Sequence, residues 1–114
     1  MQINNQVTLI GRLGKDPSYM TTQQGNDLTR LSLATSSYRI VEGERKENTQ
    51  WHRCIAWGPL ALTLHQYLKK GSRVAIHGEL RYGKFTDKEG IERSSTDIVI
   101  NSFTFLDQKQ KQAA

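Results

Sequence analysis

The chain has 114 residues, a formal net charge of +5 and one cysteine. This length suits one domain with a single modest core. One cysteine excludes an intramolecular disulfide, and no apolar run approaches the length of a membrane span or a signal-peptide core, so we expect a cytoplasmic protein in a reducing compartment. The basic charge is compatible with a polyanionic partner but does not require one.

Alternating apolar residues predict a first strand over residues 3–13 and a second over residues 28–40. Tyr38 ends the more polar face of the second strand. The polar segment 21–27 between the two strands predicts a loop with turn chemistry. The charged segment 42–48 predicts a solvated hairpin loop that leads into the third strand.

Both tryptophans of the chain lie in residues 51–58, which predict the third strand. With a period of two, Trp51, Arg53 and Trp57 share one face, and mostly small residues occupy the other. Aromatic rings beside a cation form a surface suited to the flat, anionic, aromatic groups of unpaired nucleic acid. The alternative is that both tryptophans belong to the core and that Arg53 extends from it to water.

One helix is predicted, beginning at Pro59 with an amphipathic stripe and ending with Gly71. A fourth strand follows over residues 73–85, and Phe85 lies on its charged face. The turn after it leads into a last strand over residues 95–106.

Alternation in the last strand predicts one more face that packs in the core, and the residues after this strand are polar. Alternation assigns Ile98, Ile100 and Leu106 to that core face and turns Phe103 away from it. We expect the domain to comprise residues 1–106. Residues 107–114 form a short polar tail that we expect to be disordered.

The order of the elements is three strands, a helix and two strands, in about a hundred residues. A closed five-stranded Greek-key barrel leaves no exposed sheet edges, and the helix can cover one open end. The sequence therefore predicts an all-β OB-fold with one short helix. In this fold, strands two and three bind oligonucleotides, which is the region where Tyr38, Trp51 and Trp57 lie.

An enzyme is the first competing interpretation. His52, Cys54 and His77 are scattered over strands without the compact spacing of metal ligands. The carboxylates lie mostly in predicted loops and do not converge on a pocket. The sequence therefore predicts no catalytic residues, no metal and no cofactor.

Five separate segments resemble one family, the bacterial single-stranded DNA-binding proteins. They match that family's pattern in order and at its usual spacing, and they are residues 10–17, 31–36, 49–54, 67–72 and 84–87. The resemblance extends from about Val7 to Leu106. It implies an OB-fold homotetramer that wraps single-stranded DNA without reading its sequence and serves replication, repair or recombination.

The resemblance also implies the roles of nine residues. The base-stacking aromatics fall at Tyr38, Trp51, Trp57 and Phe85. The phosphate-contacting cations fall at Arg53, Lys70, Arg73, Arg81 and Lys84. Many members have Trp at the positions of Tyr38 and Phe85 and Phe at the position of Trp57. Gly83 stands where Arg is usual, so we expect one fewer phosphate contact.

Members of this family usually end in an acidic tip that binds replication and repair proteins, and this chain ends at Ala114 without one. Its recruitment of such partners is therefore left open. An adaptor of the primosomal replication protein type is the second competing interpretation, since those proteins share the OB-fold, bind single strands weakly and bridge protein partners. An RNA-binding OB domain is the third competing interpretation, because stacking and phosphate contacts do not distinguish ribose from deoxyribose.

Overall fold

The computed structural model describes residues 4–107. In that part of the chain, six strands and one helix follow one another: β1 (Val7–Leu13), β2 (Ser18–Thr21), β3 (Asp27–Val41), β4 (Glu44–Trp57), α1 (Pro59–Tyr67), β5 (Arg73–Thr86) and β6 (Glu92–Phe105). The sheet order is β1-β5-β6-β4-β3-β2, and a further pairing of β1 with β3 closes the barrel. The predicted OB-fold is confirmed.

The barrel closes where β1 crosses β3. Arg12 pairs with Ala34, and Leu13 pairs with Leu33. A Cβ on Gly11 would lie 2.0 Å from the carbonyl oxygen of Ala34. Glycine at this position therefore allows the two backbones to approach closely enough to complete the barrel.

The core fills the barrel and extends under the helix. Leu33, Val74 and Leu64 have no exposed surface, and full burial of one such side chain contributes about 1.5–3 kcal/mol. The buried hydroxyl of Thr29 donates a 2.7 Å hydrogen bond to the carbonyl oxygen of Ala61 in α1. This bond ties the helix to β3 at the end of the barrel.

Two hairpins extend beyond the barrel. We call residues 36–49 the β3–β4 arm and residues 81–97 the β5–β6 arm. Every residue of the β3–β4 arm is exposed, and its turn is formed by Glu42 and Gly43, which both have positive φ. Such a turn matches the right-handed twist of the strands that it joins.

The sequence predictions differ from the structure in two loops. The sequence predicts a loop at residues 42–48, but residues 44–48 are paired strand in β4. A ribbon solvated on both faces needs no alternation of apolar residues, so its sequence resembles a loop. The segment before β3 contains the unpredicted strand β2, whose four residues pair with the start of β3 and include Thr21 of the expected loop.

The predicted faces of the last strand are wrong beyond its middle. Ile100 pairs with Gly78 and Ser102 pairs with His77, so an irregularity leaves one extra residue in β6. A bulge of this kind reverses which side chains face inward. As a result, Phe103 packs against the core instead of facing away from it.

The ends of the other elements differ less from the sequence predictions. The helix ends at Tyr67, and Gly71 lies beyond it with φ of 89° in the turn that leads to β5. The first strand begins at Val7 rather than at residue 3. The predicted tail falls almost entirely in residues 108–114, which lie outside the described residues. No helix within residues 4–107 has the length and apolar character needed to span a membrane.

Candidate nucleic-acid interface

Strand β4 presents both tryptophans to solvent. Trp51 is 60% exposed and Trp57 is 47% exposed, whereas Cys54 and Ala56 on the opposite face are 1% and 0% exposed. The alternation of large and small residues therefore sends the small side chains into the barrel. The alternative that the tryptophans form the core is wrong.

The indole of Trp51 lies against the backbone of Gly14. A Cβ on Gly14 would lie 2.4 Å from Cζ3 and 2.7 Å from Cη2 of that ring. The amide of Gly14 donates a 3.0 Å hydrogen bond to the carbonyl oxygen of Ser32, which holds the end of β1 beside β3. The position of the Trp51 ring thus depends on a glycine in the loop that follows β1.

Arg53 lies between the two tryptophans on the same face of β4. Its Nε atom is 3.4 Å from Oδ1 of Asp97 in β6. That oxygen is buried and accepts no hydrogen bond from residues 4–107. Exposed ion pairs contribute about 0–1 kcal/mol, so Arg53 remains available to an anionic ligand.

A groove of about 390 Å³ lies beside Arg53, and we call it the Arg53 groove. Its lining comes from strands β2, β3 and β4 and from the loop after β1, and comprises Lys15, Ser18, Arg30, Leu31, Ser32, Arg53, Cys54 and Ile55. The sequence alone does not indicate that Lys15 and Arg30 belong to this site. Strand register was the missing information, since it pairs Ser32 with Arg53 and Arg30 with Ile55.

A second groove, of about 550 Å³, joins the β3–β4 arm to the barrel. Tyr38 and Arg73 both line it, so the structure brings these two predicted site residues together. The guanidinium carbon of Arg45 lies 4.0 Å from the centroid of the Tyr38 ring. This cation–π contact covers one face of a ring that is otherwise exposed.

The β5–β6 arm carries Arg81, Lys84 and Phe85, all exposed. Arg81 and Phe85 lie on one face, and Lys84 lies on the other with the exposed Tyr82. The Nε atom of Arg81 donates a 2.9 Å hydrogen bond to Oε2 of Glu79. Because Arg81 pairs with Asp97, the base of this arm lies next to Arg53.

The last predicted cation, Lys70, lies in the turn between α1 and β5. Its backbone amide donates a 2.8 Å hydrogen bond to Oδ1 of Asp16. Asp16 follows Lys15, so this bond brings Lys70 close to the loop that lines the Arg53 groove. Eight of the nine predicted site residues thus lie in three places: Trp51, Arg53 and Trp57 on β4, Tyr38 and Arg73 at the second groove, and Arg81, Lys84 and Phe85 on the β5–β6 arm. The ninth, Lys70, lies in the turn before β5.

The residues considered for catalysis have ordinary structural contacts. His52 Nε2 lies 2.9 Å from the hydroxyl of Thr35, and His77 Nε2 lies 3.1 Å from Oε1 of Gln6. Burial, and secondarily Asp97, raises the pKa of the Cys54 thiol to about 12. Between residues 4 and 107, no group of three or more His, Cys, Asp or Glu side chains is arranged to hold a metal.

Known proteins resemble this chain over most of its length. The profile of the single-strand binding protein family matches residues 4–106. The single-stranded DNA-binding protein of Xanthomonas campestris pv. campestris is 48% identical over 103 residues, covering 90% of this chain and 60% of that protein. The one from Xylella fastidiosa is 44% identical, with 90% and 63% covered. The chain thus spans about three fifths of the length of these relatives.

A solved structure has the same fold. The structure described as a Plasmodium falciparum SSB complex with ssDNA superposes with a TM-score of 0.84 and 28% sequence identity. The match covers 94% of this chain and 98% of that one. The superposition therefore includes nearly all of this chain.

Proposed function

Because this chain belongs to the single-strand binding protein family, we propose that it binds single-stranded DNA without reading its sequence. One observation carries the proposal: two tryptophans lie half-exposed on one face of a barrel strand, with Arg53 between them. Exposed apolar patches rimmed by polar residues mark interaction sites. A single strand offers unstacked bases for the rings and phosphates for the cation.

The interaction has two physical components. Stacking of a base on an aromatic side chain contributes about 1–3 kcal/mol for any base, and we assign it to Tyr38, Trp51, Trp57 and Phe85. Each phosphate contact makes the slope of log K against log salt more negative by about 0.7. We assign these contacts to Arg53, Lys70, Arg73, Arg81 and Lys84. Duplex DNA binds poorly in this account because its bases are already stacked on each other.

We extend the proposal to the biological setting. The binding domain is residues 1–106, the assembly is a homotetramer, and the protein works in the cytoplasm in replication, repair or recombination. The relatives' names support DNA binding, and the formal charge of +5 is of the sign that a nucleic-acid partner needs. In this proposal the protein is a binding protein and not an enzyme.

Alanine substitutions test the proposal. Trp51→Ala and Trp57→Ala should each weaken oligo-dT binding by about 1–3 kcal/mol, with the free energy of unfolding in urea nearly unchanged. Tyr67→Ala is the matched control, because Tyr67 is 66% exposed on α1 and lies outside the site. Equal affinities for all three variants, or unfolding of the tryptophan variants, would contradict the proposal.

A further inference from the structure

The Arg53 groove joins three neighbouring strands at the centre of the tryptophan face. On β4, Arg53 lies opposite Ser32 of β3. Arg30 of β3 lies opposite Ile55 on one side and opposite Ser18 of β2 on the other. Directly paired residues have Cβ atoms about 4.5–5.5 Å apart, so these side chains form one continuous surface.

The groove is cationic. Lys15, Arg30 and Arg53 line it, and none of its eight lining residues is acidic. Within residues 4–107, Lys15 and Arg30 form no side-chain ion pair or hydrogen bond, whereas Arg53 is 3.4 Å from Asp97. Three like charges around one groove repel each other, and an anion in the groove removes that repulsion. The hydroxyls of Ser18 and Ser32 add hydrogen-bond donors suited to phosphate oxygens.

The groove also lies at the right place along a bound strand. Trp51 precedes Arg53 by two residues, and Trp57 follows Ile55 by two. At about 3.3 Å per residue, the two tryptophans are roughly 20 Å apart along β4. A strand whose bases stack on both rings spans this distance, and the groove lies between the two rings.

We propose that Lys15, Arg30 and Arg53 form a phosphate-binding subsite that holds an internal phosphodiester between bases stacked on Trp51 and Trp57. This inference rests on the proposed function and deepens it. It adds two cations, Lys15 and Arg30, to the interface. A terminal phosphate monoester offers similar chemistry, so the experiment separates the two sources.

The test measures the salt dependence of oligo-dT binding for Lys15→Gln, Arg30→Gln and the double variant. Each lost contact should reduce the magnitude of the slope of log K against log salt by about 0.7, and the double variant should lose about 1.4. Lys88→Gln is the control, since it removes the same charge from the turn of the β5–β6 arm, outside the groove. Lys15→Arg should keep the wild-type slope.

The outcomes distinguish this subsite from the proposed function. If the double variant has the slope of Lys88→Gln while oligo-dT still quenches tryptophan fluorescence, the subsite is wrong and single-strand binding stands. If the slope is unchanged but the double variant loses an affinity gain produced by a 5′-phosphate, the groove binds chain ends, which also overturns the proposal for an internal phosphodiester. Absence of wild-type quenching would contradict both the subsite and the proposed function.

Discussion

Gly14 determines where the Trp51 ring can lie, because a Cβ there would overlap two ring atoms at 2.4 Å and 2.7 Å. Gly14→Ala should therefore displace the indole, with little loss of folding stability, because the ring is 60% exposed and can move away from the new methyl group. We expect a shifted emission maximum and weaker quenching by oligo-dT, measured in a Trp57→Phe background so that Trp51 is the only tryptophan.

The control for this substitution is Gly83→Ala. Its Cβ would lie 3.2 Å from the hydroxyl of Ser95, which is a much milder contact. Emission and quenching should stay close to those of the parent. If Gly14→Ala behaves like this control, Gly14 does not position the ring.

The buried Oδ1 atom of Asp97 lies 3.4 Å from the Nε atom of Arg53 at the centre of the site. Asp97→Asn should release Arg53 from its ion pair and tighten oligo-dT binding by up to about 1 kcal/mol at low salt. Glu92→Gln removes an equal charge from the same strand at the far end of the β5–β6 arm. Tightening of the same size in both variants would show a general charge effect and contradict a specific role for Asp97.

At the scale of elements, Asp87 organises the turn of the β5–β6 arm. Its Oδ2 atom accepts a 2.6 Å hydrogen bond from Arg93 Nε, and its Oδ1 atom accepts 2.9 Å bonds from the amides of Glu89 and Ile91. The Arg93 bond is the main cause that lowers the pKa of Asp87 below its ordinary value of 3.8. The carboxylate therefore stabilises the turn above pH 3.8, and this contribution is lost as the pH falls through the lowered pKa.

Asp87→Ala should loosen the turn at neutral pH, as acid does in the wild type. Faster hydrogen exchange at the amides of Gly90 and Ile91, measured by NMR, is the expected result, together with a reduced contribution of the neighbouring Phe85 to DNA binding. Glu89→Ala is the control, because within the described residues the Glu89 carboxylate contacts no partner. Unchanged exchange in Asp87→Ala would show that strand pairing alone maintains the turn.

The β3–β4 arm differs from the β5–β6 arm in how its aromatic residue is presented. Arg45 covers one face of Tyr38, and the ring remains more than half exposed. A base that stacks on Tyr38 therefore has the opposite face available, with the guanidinium adding positive charge behind the ring. The arm thus combines a stacking surface and a cation in one pair of residues.

At the scale of the whole molecule, the fold and the tryptophan face could be predicted because each depends on local alternation. The buried Cys54 and Ala56 alternate with the exposed Trp51 and Trp57, and this pattern is visible in the sequence. Other features depend on pairing between strands. The inward position of Phe103 follows from a bulge, and periodicity along one strand contains no signal for it.

The same reason explains the missed part of the candidate site. Lys15 and Arg30 are ordinary exposed cations when each is considered alone. They join Arg53 only because β2, β3 and β4 pair in one particular register. A sequence predicts which side chains face outward more easily than it predicts which distant ones meet.

The most direct test of the central claim is a titration of intrinsic tryptophan fluorescence with oligo-dT, oligo-U and a blunt duplex, at low and at high salt. The account predicts strong quenching by oligo-dT that persists at high salt, because stacking on Trp51 and Trp57 does not depend on counterion release, and little quenching by duplex. The oligo-U arm measures whether RNA binds as well. Weak quenching by oligo-dT that vanishes with modest salt would contradict the account and favour a mainly electrostatic contact, as expected of an adaptor.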